Sequence, residues 1–129
     1  MKNYYLTSES VTEGHPDKIC DKISDYILDE ALRQDKNSKM AVEATIKDDL
    51  ILIYGEATTN AKLDYEKLAK HVLKDIGYNE EYNVIVKVNK QSIEINNAVN
   101  KDKIMAGDQG IMFGYATNET KEYMPLTIL

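Results

Sequence analysis

The sequence predicts an α+β domain in which two helices cover one face of a small sheet. Three observations predict it. Isoleucines and an alanine recur at every fourth position over residues 16–34. Apolar and polar residues alternate on both sides of Asp48-Asp49. A second stretch of helical periodicity runs into Gly77 and is followed by a β-branched run at residues 83–88. Spacing of four marks one face of a helix, and strict alternation marks a half-buried strand.

The elements follow in order. Residues 3–8 read as a short strand. Pro16 opens a helix that extends to about Gln34, because the missing N–H of a proline would be unpaired at the first helical position anyway. Ile19, Ile23, Ile27 and Ala31 form its buried stripe, while Asp17, Asp21, Asp25 and Asp29 recur on another face. Residues 39–47 and 50–59 read as two strands joined at Asp48-Asp49. Asp64 is the N-cap of the second helix, with Leu63 and Leu68 at the positions of a hydrophobic staple. Leu68, Val72 and Ile76 form its stripe, and Gly77 stops it. Residues 83–88 make a fourth strand. The order is β-α-β-β-α-β, a split βαβ sandwich with helices on one face of the sheet. Beyond residue 89 the pattern gives way to a polar segment, residues 90–103, and a glycine-rich stretch, residues 106–115.

A two-residue turn at Asp48-Asp49 sets the hairpin register. Glu43 then faces Tyr54, Thr45 faces Leu52 and Ala41 faces Glu56. Val42, Ala44, Ile46, Ile51, Ile53 and Gly55 line the face that suits the helices. The opposite face is too apolar for plain solvation and too acidic for a closed core. An interface with a site along its edge accounts for both. A slip of one residue would exchange the faces.

Length and composition bound the function. The 129 residues suit one domain. Hydrophobic residues are 43% and charged residues 29%, a globular mix. With a net charge of -6 and Arg33 as its one arginine, the chain is ill suited to a nucleic-acid backbone. The single cysteine, Cys20, admits no internal disulfide and reads as a small core residue. No apolar run has the length of a membrane span, and residues 1–5 lack the apolar stretch of a signal peptide. A cytoplasmic location is the expectation. Any polyanion would have to be held by a metal ion, a helix N-terminus or cations from elsewhere.

Gly14-His15-Pro16-Asp17-Lys18 is the first stretch that carries chemistry. Gly14 allows close backbone approach to a ligand. His15 takes the N-cap position, where unpaired N–H groups and the helix dipole attract anions. Asp17 can hold a metal that such an anion brings. A plain helix start with a polar cap fits the pentapeptide equally well. Glu43 and Glu56 lie diagonally on one sheet face in the register above. Carboxylates that close repel unless a cation or cationic ligand lies between them, but two unrelated exposed acids fit as well. Asp21, Asp25 and Asp29 read as a solvated face, and His71, beside Lys70 and Lys74, reads as a surface histidine. Residues 107–114, Gly-Asp-Gln-Gly-Ile-Met-Phe-Gly, lack both the strand context and the Gly-Lys-Ser/Thr ending of a phosphate-binding loop.

Two long motifs carry a family resemblance. Residues 7–18, Thr-Ser-Glu-Ser-Val-Thr-Glu-Gly-His-Pro-Asp-Lys, resemble the N-terminal signature of S-adenosylmethionine synthetases (methionine adenosyltransferases). Residues 106–120, Ala-Gly-Asp-Gln-Gly-Ile-Met-Phe-Gly-Tyr-Ala-Thr-Asn-Glu-Thr, resemble a second signature of the same family. Gly55-Glu56-Ala57-Thr58-Thr59 and Lys90-Gln91-Ser92 fall between them in the family's order, so the resemblance spans essentially the whole chain.

The resemblance implies an enzyme that joins the sulfur of L-methionine to C5′ of ATP and releases phosphate and pyrophosphate. It implies that His15 binds ATP and is catalytic, that Asp17 ligates Mg2+ and that Glu43 ligates K+. It implies that Glu56, Gln91 and Asp108 contact methionine, and that a mobile loop begins at Gln91. That loop reads Gln91-Ser92-Ile93-Glu94-Ile95 where the family usually has Gln-Ser-Pro-Asp-Ile, and the stretch from Gly77 to Lys90 is shorter than in most bacterial members. The family's full chain forms homodimers or homotetramers through flat sheet faces and holds the triphosphate with lysines and arginines of later domains. Residues 1–129 are therefore expected to be a single N-terminal domain without the central and C-terminal domains, and inactive alone. The alternative is a non-catalytic or split-subunit module that binds a partner synthetase chain.

Overall fold

The computed structural model describes residues 5–90 and 111–129. Gln91 and Asp108, and the loop that begins at Gln91, lie outside the described residues. The chain divides into two compact units: residues 13–109, and residues 1–12 with 110–129.

In the first unit the order is α1 (Pro16–Gln34), β1 (Lys39–Lys47), β2 (Leu50–Thr58), α2 (Tyr65–Ile76) and β3 (Asn83–Lys90). α1 starts at its proline and buries Ile19, Ile23, Ile27 and Ala31, the four residues that the spacing predicts. Asp21, Asp25 and Asp29 are exposed. α2 is capped by Asp64, whose side chain accepts from the Lys67 amide. It ends at Gly77 with φ 109, where the Gly77 N–H bonds the Lys74 carbonyl and the Tyr78 N–H bonds the Leu73 carbonyl. That pair of bonds is the Schellman motif, and its left-handed residue favours glycine.

β1 and β2 pair antiparallel in the expected register, with Glu43 opposite Tyr54, Thr45 opposite Leu52 and Ala41 opposite Glu56. Asp48 turns the chain with φ 54, a conformation aspartate tolerates better than most residues. β3 lies beside β2 and parallel to it, so β2–α2–β3 closes on neighbouring strands. The core joins Ile19, Ile23 and Ile27 of α1 to Val42, Ile51 and Ile53 of the sheet and to Ala69, Val72 and Leu73 of α2. Both helices therefore cover one face of the sheet, and the α+β layering holds.

The strand expected over residues 3–8 is not seen among the described residues 5–8, and the described residues form a three-stranded sheet with no further strand interposed within the βαβ unit. A run this short becomes a strand only where a sheet edge accepts its ladder bonds.

The second unit carries no helix or strand among its described residues. Polar side chains organise it. Ser8 Oγ donates to Thr127 Oγ1 at 2.5 Å. Glu119 Oε2 accepts from the Leu126 amide at 3.0 Å, and Thr120 Oγ1 both donates to the Met124 carbonyl and accepts from the Met124 amide. The end of the second signature motif is thus a set of turn-forming groups.

Candidate functional site

His15 is the N-cap of α1, with extended backbone at φ -67 and ψ 135. Its Nδ1 accepts a hydrogen bond from the Asp17 amide at 3.2 Å. The Asp17 carboxylate oxygen Oδ2 lies 3.9 Å from the same nitrogen. The His15 side chain is 39% exposed and that of Asp17 is 90% exposed, so the ring is partly enclosed and the carboxylate stands free in solvent. With Nδ1 occupied as an acceptor, the neutral ring carries its proton on Nε2, which leaves a donor facing away from the helix.

Gly14 meets the body of the protein, where ligand approach was the sequence expectation. Its backbone is outside the left-handed region, yet a Cβ built there would stand 2.6 Å from the Tyr78 hydroxyl oxygen. Tyr78 follows the Schellman turn of α2 and donates to the Gly14 carbonyl at 3.4 Å. Residue spacing could not show this contact, because the two residues are 64 positions apart.

Glu43 and Glu56 share the outer sheet face, as the register predicts. Glu43 is exposed and Glu56 half-buried. Diagonal neighbours of this kind lie about 7–8 Å apart. Tyr54 stands opposite Glu43 on one side and Lys87 on the other. Leu50, Tyr54 and Ile85 add exposed apolar surface to this face.

The two groups do not meet within one unit. The Ile46 backbone lies close enough to the Cys20 thiol to lower its pKa, against the larger opposing effects of burial and of Asp17 and Asp21, so the start of α1 lies over the hairpin end of the sheet. Glu56 pairs with Ala41, five residues along β2 from Ile51, the partner of Ile46. At the rise of a strand that is about 16 Å. Glu43 and Glu56 also point to the face opposite the helices. Cys20 itself is half-buried, less enclosed than the core position expected of it. Burial pushes its thiol pKa up, and the neighbouring Asp17 and Asp21 carboxylates push it further. His71 is exposed, 3.5 Å from Asp75 and with its ring 5.2 Å from that of Tyr26.

The sole arginine is committed elsewhere. Arg33 grips Glu30 with two bonds, Nε to Oε2 at 2.8 Å and an Nη atom to Oε1 at 2.6 Å. Arg33 and Gln34 together hold the Glu30 carboxyl at a pKa of about 2. This pair lies in the last turns of α1, a helix about 28 Å long at 1.5 Å per residue, and so far from His15. An open groove of about 490 Å³ lies near that end, lined by Asp35, Asn37, Thr59, Asn60, Tyr65 and Asn89 among others. Asp35 there is a latch: its carboxylate accepts from the Asn60 amide, the Asn37 amide and the Asn60 side chain, which lower its pKa in that order of backbone before side-chain bonds. Among the described residues no three His, Cys, Asp or Glu side chains converge on a common point, and no helix is long and apolar enough to cross a membrane.

Residues 3–103 match the family described as S-adenosylmethionine synthetase, N-terminal domain. The chain belongs to the S-adenosylmethionine synthetase family. Residues 103–129 match the family's central domain. The chain is 49% identical to the S-adenosylmethionine synthase of Brachyspira hyodysenteriae, over 99% of this chain and 37% of that relative. It is 52% identical to the S-adenosylmethionine synthases of Mesoplasma florum and Mycoplasma capricolum, over 95% of this chain and 35% and 34% of theirs. The chain thus spans about a third of the length of these synthetase relatives.

Proposed function

We propose that this chain supplies the nucleotide-binding histidine and the methionine contacts of a methionine adenosyltransferase, which makes S-adenosylmethionine from ATP and L-methionine with release of phosphate and pyrophosphate. The observation that carries the reading is His15 at the mouth of α1, with Nδ1 tied to the Asp17 amide and Nε2 left as a donor. A thioether sulfur has no proton to lose, so the reaction needs no general base. The work is to align sulfur with C5′ and to stabilise charge on the departing triphosphate oxygen. His15 Nε2–H, backed by the helix dipole, donates to that oxygen.

Asp17 would hold Mg2+. One exposed carboxylate suits an ion that keeps several waters and arrives with the phosphates. Bound there, the ion neutralises polyphosphate charge. Glu43 would supply one oxygen to K+, with the rest of the shell from other groups, since no cluster of acids surrounds it among the described residues. Glu56 would receive the methionine ammonium, and Gln91 and Asp108 would complete the methionine contacts. The proposed location is the cytoplasm.

The separation of His15 from Glu56 within one unit favours a site composed from two copies, joined through the outer sheet face in a homodimer or homotetramer. Arg33, the chain's one arginine, is bound to Glu30, so guanidinium groups for the leaving group come from other parts of the assembly. The 129-residue chain alone is therefore inactive. The test is to join this chain to the rest of the Mesoplasma florum relative, the part beyond the 35% that it matches. We expect synthesis from the chimera, none from the chain alone, and a loss of about 10²–10³ in kcat for His15→Ala in the chimera, the scale of one removed oxyanion donor. A folded chimera that is silent, or an unaffected His15→Ala, overturns the reading. The second reading, a split-subunit or non-catalytic module that binds a partner synthetase chain, draws on the same outer face; both forms predict association with a synthetase, and the non-catalytic form predicts no loss of the partner's activity on His15→Ala.

A further inference from the structure

We propose that Tyr78 is a positioning residue for His15, and that Gly14 is glycine in order to admit it. Three observations converge. Gly77 ends α2 in the left-handed conformation at φ 109, and the Schellman bond from the Tyr78 amide to the Leu73 carbonyl fixes where Tyr78 leaves the helix. The tyrosine hydroxyl then reaches the Gly14 carbonyl, at 3.4 Å. Gly14 needs no glycine for its own backbone, which is not left-handed. Its missing Cβ is what leaves room, because that atom would lie 2.6 Å from the hydroxyl oxygen but 3.4 Å from the ring carbon that bears it. The peptide held this way leads directly into the His15 N-cap, so the C-terminus of one helix sets the N-terminus of the other.

The contact controls the ring through the backbone. A displaced Gly14–His15 peptide turns Nδ1 away from the Asp17 amide and frees the imidazole to exchange tautomers. The significance of that ring rests on the nucleotide role proposed above, but the measurement is made without nucleotide, so the two can fail separately.

The test uses the 129-residue chain at alkaline pH and reads the 15N shifts of His15, which report its tautomer. In the wild type the Nε2–H form dominates. Gly14→Ala raises the share of the minor tautomer about fivefold, the scale of losing one net hydrogen bond. Tyr78→Phe alone deletes the donor to the Gly14 carbonyl while leaving the ring in place, and raises the minor tautomer by a similar factor. A tautomer ratio unmoved by Gly14→Ala, or unmoved by Tyr78→Phe, overturns the proposal. A tyrosine that merely fills space beneath α2 would leave the ratio unchanged in Tyr78→Phe, because phenylalanine fills the same space.

Discussion

Single residues at the ends of α1 show how one side chain commits another. Glu30 is a surface carboxylate, yet Arg33 and Gln34 hold its pKa at about 2, against an ordinary value of 4.5. A folded-state pKa below the unfolded one contributes stability above the unfolded value, and that contribution fades as pH falls toward the folded value. Glu30→Gln should therefore lower Tm at neutral pH, with the gap to wild type closing between pH 4.5 and about 2. The effect is small, as for exposed ion pairs in general. A gap that stays constant down to pH 2 would show that the pair contributes nothing through ionisation. At the other end of the helix, His15 was legible as an N-cap from Gly-His-Pro-Asp, because a proline at the first position marks the boundary. Its partner Tyr78 was not, because nothing in the spacing of α2 says where its last turn points.

The hairpin is the element on which the outer face depends. Gly55 sits within β2 at φ 131, and a Cβ there would come 2.1 Å from the Ala41 carbonyl oxygen. That oxygen belongs to a paired backbone and cannot move aside. Gly55→Ala should destabilise the chain by about 3 kcal/mol or more, since it adds left-handed strain to a backbone collision. Urea denaturation measures it, and a loss under about 1 kcal/mol would mean that the strands part locally at little cost. Alternation alone puts Gly55 on the core-facing row. Alternation does not show its positive φ, nor that a Cβ there would also come 3.1 Å from the Val42 Cα. The register itself was legible, because a two-residue turn and one buried face leave a single alignment that keeps Ile51 and Ile53 inside.

At the scale of the whole molecule, the proposed interface is the outer sheet face. Leu50, Tyr54 and Ile85 are exposed there beside Glu43 and Lys87. Two copies that meet through this face would cover them. Tyr54→Arg should weaken self-association at least about tenfold, the effect of charging a central aromatic contact, without changing Tm much. Sedimentation velocity over a concentration series reads this directly. A wild-type chain that stays strictly monomeric at high concentration would remove the interface from the proposed site.

The sequence by itself determined the two helices, their caps, the hairpin register and the family, because each of these depends on neighbours a few positions apart or on contiguous motifs. The strand it predicts over residues 3–8, which is not seen at residues 5–8, is of the kind that needs a distant partner. Only the tertiary structure decided that His15 and Glu56 lie apart, that Arg33 is occupied, and that Gly14 faces Tyr78. Those facts depend on how α1, α2 and the sheet pack: local spacing marks Ile23, Ile27, Ile51 and Ile53 as buried, but not which element each of them meets.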